Sequence, residues 1–251
     1  MMRVFLTLVR REVGAHFVSW TGYVVVAAML FLLGLSFIGI LHALNAEPLT
    51  QPLTEIFNDS FAFWVIVLIG VPLITMRSFA QEKHSGTFET LMTTPVSDVV
   101  VVAGKYAGAL LMYCLMWVPL APLLLVLRHY VTAPGALDYG VLGTTALGMF
   151  LLGGLYVAMG CLASSLTRSQ VIAAIVTFAA GVAMFLLGFL AQATPPQLGL
   201  PALILHHVNM LAHMRDFSRG LLDTRALVFY TTATFLLLYL NLKAVESRRW
   251  K

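Results

Sequence analysis

The sequence predicts an all-α, polytopic membrane protein, and three observations support that fold class. Of its 251 residues, 60% are hydrophobic and only 10% charged, against about 25% charged in an ordinary soluble domain. Six apolar stretches, at approximately 20–44, 57–76, 99–127, 140–166, 171–192 and 226–244, are long enough to cross a hydrocarbon layer. Their apolarity is continuous, without the period-two alternation of barrel strands, so each must satisfy its backbone internally as a helix. The first stretch exceeds the apolar core of a signal peptide, about 7–15 residues, and Leu44 stands where a cleavage site needs a small residue. That segment is expected to be retained.

Ahead of the first span, Arg3, Thr7, Arg10 and Arg11 fall on one side of a helix and Phe5, Val9 and Val13 on another. That pattern suits an amphipathic helix lying in the membrane interface, its cations toward anionic headgroups of membrane lipids. With the amino terminus inside, the inner segments hold Arg3, Arg10, Arg11, Arg77, Lys83, Lys105, Arg168, Lys243, Arg248, Arg249 and Lys251. The outer segments hold Arg128, Arg215, Arg219 and Arg225. The positive-inside rule therefore places both termini in the cytoplasm and accounts for the net charge of +4 without a nucleic-acid partner.

Within the spans, Gly104-x-x-x-Gly108 lets two helix backbones approach, and Gly148, Gly153, Gly154 and Gly160 do the same along the fourth span. Pro72, Pro119 and Pro122 are expected to kink spans two and three. Cys114 and Cys161 read as small buried apolar residues rather than a disulfide or redox pair. Lys105, near the inner end of span three, is expected to snorkel to the interface.

Between spans two and three lies the charged stretch "RSFAQEKHSGTFETLMTTPVSD", residues 77–98. Its middle, 86–92, predicts a short helix: Gly86 at the N-cap, Thr87 and Glu89 in the first turn, and Phe88, Leu91 and Met92 forming an apolar face at i, i+3 and i+4. Pro95 stops it. Two turns are marginal alone and need a surface to rest on. The residues leave open whether that surface is the membrane interface or a soluble partner.

The last outer segment, 193–225, opens with the breaker "TPPQLGLP" and continues with two apolar stretches, 202–208 and 210–214, too short to span. It is expected to re-enter the membrane from outside as two half-helices, buried against protein. Arg215, Asp216, Arg219 and Asp223 are its charged residues, with Asp216–Arg219 and Arg219–Asp223 spaced for pairing along a helix. His206, His207, His213 and Asp216 are metal-ligand types, but their spacing matches no metal site, so none is assigned.

Residues 79–110, "FAQEKHSGTFETLMTTPVSDVVVVAGKYAGAL", resemble the signature region of type-2 ABC transporter permeases. Glu82, Lys83, Gly86, Thr87, Glu89, Pro95, Gly104 and Lys105 occupy the places of that pattern. The tail, "RDFSRGLLDTRALVFY" through "LKAVESRRWK", is similar to the gliding-motility type of permease. The resemblance implies that 1–251 forms one transmembrane permease domain. Its parts are an interfacial helix (1–19), a cytoplasmic coupling loop (77–98), an outer re-entrant segment (193–225) and a basic cytoplasmic tail (245–251).

It further implies a multi-pass protein of the cytoplasmic (inner) membrane that works as half of an ATP-driven exporter. Separate cytoplasmic ABC ATPase subunits bind the ATP and Mg, and a second permease completes a homodimer or heterodimer. An accessory outer-side protein is left open. Glu82, Gly86, Thr87, Phe88, Glu89, Leu91 and Met92 would dock the ATPase. The chain carries no G-x-x-x-x-G-K-[ST] and no H-E-x-x-H, so no catalytic residue and no cofactor site is assigned to it. Mid-span carboxylates are missing, which disfavours the alternative of a secondary transporter. A non-transporting scaffold that recruits an ATPase is the other alternative.

Overall fold

Continuous apolarity becomes helix, and the helices stop where backbone chemistry intervenes. The computed structural model describes residues 2–18, 20–46, 52–88, 96–130, 138–195 and 199–247. In chain order the described helices are α1 (Met2–Val18), α2 (Trp20–Ala46), α3 (Leu53–Asp59), α4 (Phe61–Thr75), α5 (Ala80–Ser85) and α6 (Asp98–Trp117). They continue with α7 (Leu120–Tyr130), α8 (Tyr139–Leu166), α9 (Gln170–Ala193), α10 (Leu200–His207), α11 (Met210–Ser218) and α12 (Thr224–Glu246). No strand occurs among the described residues, and six helical segments are long and apolar enough to cross a membrane.

The second span starts later than residue 57. Ser60 is extended (φ −66°, ψ 139°); its hydroxyl donates to the Phe57 carbonyl at 2.6 Å and accepts from the Phe63 N–H at 3.3 Å. One serine thus ends α3 and caps α4, leaving Glu55, Asn58 and Asp59 on a separate short helix. The third span breaks between Trp117 and Leu120, where Pro119 has no N–H to give. Pro72 stays inside α4. The end of the basic tail, 248–251, lies outside the described residues.

Helix α8 is the centre of the bundle, touching α4, α6, α9, α11 and α12. Its glycines work differently from expectation. They are sockets for side chains: a Cβ at Gly148 would strike the Phe217 ring at 2.7 Å, one at Gly153 the Tyr113 ring at 2.0 Å, and one at Gly160 Thr75 Oγ1 at 2.1 Å. Tyrosine hydroxyls then bind the helices through backbone oxygens, Tyr113 to Met149 at 3.0 Å and Tyr156 to Gly181 at 3.1 Å. These two buried tyrosines find partners this way because lipid offers none. Phe57, Phe63, Trp64, Tyr113 and Trp117 add an edge-to-face cluster across α3, α4 and α6.

The Gly104-x-x-x-Gly108 pair does receive a helix, but that helix is α1. Leu8 rests on Gly104, where a Cβ would lie 3.1 Å from Leu8 Cβ, and Glu12 rests on Gly108, where the distance would be 2.6 Å. Leu8 and Val9 are buried in this contact, while Arg3, Arg10 and Arg11 remain exposed. The amphipathic helix is therefore docked along α6 rather than merely resting at an interface.

Gly108→Leu should lift α1 from α6, because its side chain has nowhere to go except into Glu12. Overpacking of this kind costs about 1–3 kcal/mol. The expected outcome is a matching drop in stability in mild detergent, with a cysteine at position 9 becoming reactive to a thiol label. An unlabelled position 9 would show that α1 does not depend on this seat.

Candidate functional site

The two ends of the bundle carry most of the buried charge. At one end Lys105, only 1% exposed, is held by α1, α5 and the turn after α4. Its Nζ donates to Glu12 Oε1 at 2.7 Å and to the Ser78 carbonyl at 2.6 Å, and it lies 3.0 Å from Glu82 Oε1. Arg11 adds a contact to the same Glu82 oxygen at 3.3 Å. A buried ammonium is tolerable only with such partners. The side chain does not snorkel outward, because Glu12 and Glu82 come to meet it.

This changes the place of several expected docking residues. Glu82, 8% exposed, faces Lys105 and Arg11 rather than outward. Phe88 is 7% exposed, part of the apolar core and 5.1 Å beneath Lys83 Nζ, so its ring also serves the permease body. Gly86 does not take the extended backbone of an N-cap. It is left-handed (φ 75°, ψ −5°), where glycine is favoured, and it closes the C-terminus of α5 before helical backbone resumes at Thr87 and Phe88. Gln81, His84, Ser85, Gly86 and Thr87 are exposed. Glu89, Leu91 and Met92 lie outside the described residues.

The loop's first half is fixed to α8. Ser164 Oγ accepts from the Phe79 and Ala80 N–H groups, both at 3.0 Å, and donates to the Met76 carbonyl at 3.2 Å. Lys83 Nζ donates to the Ser165 carbonyl. His16 bridges α1 to α4, with one ring nitrogen 3.1 Å from the Ile74 carbonyl.

At the other end, α10 and α11 form the expected pair of short helices. At 1.5 Å per residue each is roughly 12–14 Å long, well short of a bilayer. Asn209 breaks them apart and caps α11, accepting from the Ala212 N–H at 3.1 Å. A Schellman closure ends α11: Leu221 N–H donates to the Asp216 carbonyl at 2.9 Å, Gly220 N–H to Phe217 at 3.2 Å, with Gly220 at φ 84°. Other carbonyls of α11 are taken from outside it, Met214 by Asn58, Phe217 by Thr144 and Ser218 by Thr54 at 2.6 Å.

Charge completes the closure, but not between the expected partners. Arg219, just past the end of α11 at Ser218, grips Glu55 with two nitrogens, at 3.0 and 2.5 Å, and keeps only a longer-range attraction to Asp216. Glu55 is 2% exposed. Arg215 lies 3.4 Å from Asp59, and Asp223 instead caps α12 through the Arg225 N–H at 2.8 Å. Desolvation, then Asp223, raises the pKa of Asp216. Glu55, Thr54, Asn58 and Asp59 escape sequence reasoning because their partners lie so far along the chain. Among the described residues no three His, Cys, Asp or Glu side chains gather as metal ligands. His206 bonds the Thr194 carbonyl, His207 meets Phe229 edge-on, and His213 packs on Phe229 and Tyr230.

A six-span bundle with a braced loop at one end and a folded-back pair of helices at the other is now compared with known proteins. Residues 47–217 match the model of the family described as "ABC-2 family transporter protein". The chain belongs to the ABC-2 transporter family. The comparison with curated proteins finds no match. The protein is thus the permease component of an ABC transporter and a multi-pass membrane protein. The matched stretch runs from just before α3 to Phe217 and includes residues 77–98; α1, Arg219 and α12 lie beyond it.

Two predictions concern the permease's ionic ends. Lys105→Met leaves Glu12 and Glu82 facing each other with Arg11 alone between them, and should cost about 3–5 kcal/mol in reversible unfolding. Changing Glu12 and Glu82 to Met as well should return most of that loss; failure to do so would mean the cluster is not the source of the effect. At the opposite end, Arg219→Glu should destabilise the closure, because buried Glu55 loses its cation and gains a second carboxylate beside it. Glu55→Arg in the same chain should restore much of it, measured as a double-mutant cycle.

Proposed function

We propose that this permease couples ATP hydrolysis by a separate cytoplasmic ATPase to export of a substrate, or to mechanical work, across the inner membrane. The ATP and Mg reside on that partner, and a second permease, identical or related, completes the assembly. The observation that carries this reading is the bracing of residues 76–88. Their backbone is tied to α8 by Ser164, their Glu82 is tied through Lys105 to α6 and α1, and their Phe88 enters the core. A push on this loop therefore reaches several spans through buried contacts. A loop loosely resting on a membrane has no need of such ties.

The exposed strip that would meet the ATPase is Gln81, His84, Ser85, Gly86 and Thr87; Glu89, Leu91 and Met92, which follow in sequence, are proposed to dock it as well. Glu82 and Phe88 act one step behind it, holding the strip in place. The excess of Lys and Arg on the loop side supports a cytoplasmic placement for this end and for both termini. The residues from 215 to the basic tail support the gliding-motility type within the family.

Paired variants separate the two layers. Gln81→Arg with His84→Glu changes only exposed side chains, and should weaken co-purification of the ATPase about tenfold while leaving stability unchanged. Phe88→Ala should lower stability by about 3–5 kcal/mol as a core truncation. Wild-type ATPase recovery and wild-type ATP-dependent transport in the first variant would remove the reading's support. Sidedness is checked separately, by cysteines at 48 and 168 in a chain lacking Cys114 and Cys161. An impermeant thiol reagent applied to whole cells should modify 48 and spare 168.

A further inference from the structure

The third span changes character half-way. After the break at Pro119, α7 has little close backbone packing with any other helix, whereas α6 before it packs on α1, α8 and α12. Side chains reach across the gap without filling it. A cavity of about 260 Å³ lies between α7, α2, α3 and α8, with Phe37, Leu53, Phe57, Leu123, Leu142 and Met149 among its walls. Ala146 lines it and is also exposed, so the cavity opens through the side of the bundle there. At positions adjoining lining residues of α2, α7 and α8, Ile38, Leu125 and Phe150 are exposed and continue the apolar surface outward.

Chemistry excludes most occupants. None of the described residues lining the cavity is charged. Its two hydroxyl protons are spent within the fold, Thr54 on the Ser218 carbonyl at 2.6 Å and Thr145 on the Val141 carbonyl at 2.7 Å. A water molecule needs about two to four polar partners and finds too few here. Left empty, the walls forfeit dispersion contacts. A dry apolar cavity of about 150 Å³ takes a six-carbon ring. By that ratio this one has room for roughly ten carbons, a stretch of one hydrocarbon chain. A helix, about 10 Å across with its side chains, is too thick to enter. The spans of a membrane protein are surrounded by chains of the right kind.

We propose that this cavity holds one acyl chain of a bilayer phospholipid, which enters beside Ala146 and completes the packing of α7. Because the walls carry no charge, the hydrocarbon is recognised and the headgroup is not. Occupancy requires only that the spans lie in a bilayer; it is independent of the ATPase and of which end faces the cytoplasm.

The test uses the full-length chain in vesicles of phosphatidylethanolamine and phosphatidylglycerol. They are doped with a phosphatidylcholine that carries a photoreactive diazirine near the end of one acyl chain. After irradiation, adducts are located by peptide mass spectrometry. Phe57, Thr145 and Met149 are 6%, 5% and 6% exposed, too little for lipid at the surface of the bundle to reach. Adducts are expected on these three as well as on the exposed Leu111 of α6. Ala146→Phe obstructs the mouth, and Leu123→Trp fills the space from the α7 wall. Each should lose the inner adducts and keep the one on Leu111. Absence of inner adducts in wild type, or undiminished inner adducts in both variants, overturns the proposal. So does their displacement by a free fatty acid bearing the same diazirine, which would make this a site for a soluble ligand. A cysteine at position 146 that joins two copies by a disulfide, with the inner residues unlabelled, would make the mouth an interface between permeases and overturn it equally.

Discussion

A single buried ammonium organises one end of the molecule. Lys105 sits at the start of α6, and the two carboxylates it needs come from different elements, Glu12 on α1 and Glu82 on α5. Charge of this kind cannot be left half-satisfied, since one missing partner costs several kcal/mol while the intact set is roughly neutral. The cluster therefore adds little net stability but penalises any arrangement in which α1, α5 and α6 are apart. It fixes where the amphipathic helix lies and which way the first half of the loop faces. That in turn decides which loop side chains are left for a partner.

The opposite end solves a different problem with similar means. Two short helices must satisfy the carbonyls at their ends. The closure of α11 by Gly220 and Leu221 handles part of this within the chain, and Thr54, Asn58 and Thr144 supply the rest from α3 and α8. The bidentate Arg219–Glu55 pair sits over these bonds. Between the two ends the bundle relies on aromatic packing and tyrosine-to-carbonyl bonds. Ionic bonds stand where the chain leaves the spans, and shape holds the spans themselves.

The spans were legible because the bilayer imposes length and apolarity on each one independently. The α10–α11 pair was legible for the same reason in reverse: its apolar stretches are too short and Pro-broken. What escaped was pairing at a distance. Glu12 meets Lys105 across 93 positions and Glu55 meets Arg219 across 164, and no local spacing rule reports such partners. By spacing Arg219 has helical neighbours in Asp216 and Asp223, yet its direct ion pair is with Glu55, because the helix ends one residue before it. The glycines of α8 were recognisable as places of close approach, but whether a backbone or a ring fills the space depends on the neighbouring helix. Gly86 was misplaced for a subtler reason: glycine serves at both ends of helices, and only the backbone angle tells which.

The span of the Glu55–Arg219 bond has a consequence for how the chain is made. At about 5–20 residues per second, roughly 8–30 s separate the synthesis of the two partners. Throughout that interval a carboxylate destined for burial has no cation to meet, and α3 has no α11 to lean on. During biogenesis Glu55 must therefore wait in water or against a helper, and this end of the bundle can only be sealed late. A nascent chain released before residue 219 carries an unpaired acid at the membrane surface, a mark by which incomplete copies differ from finished ones.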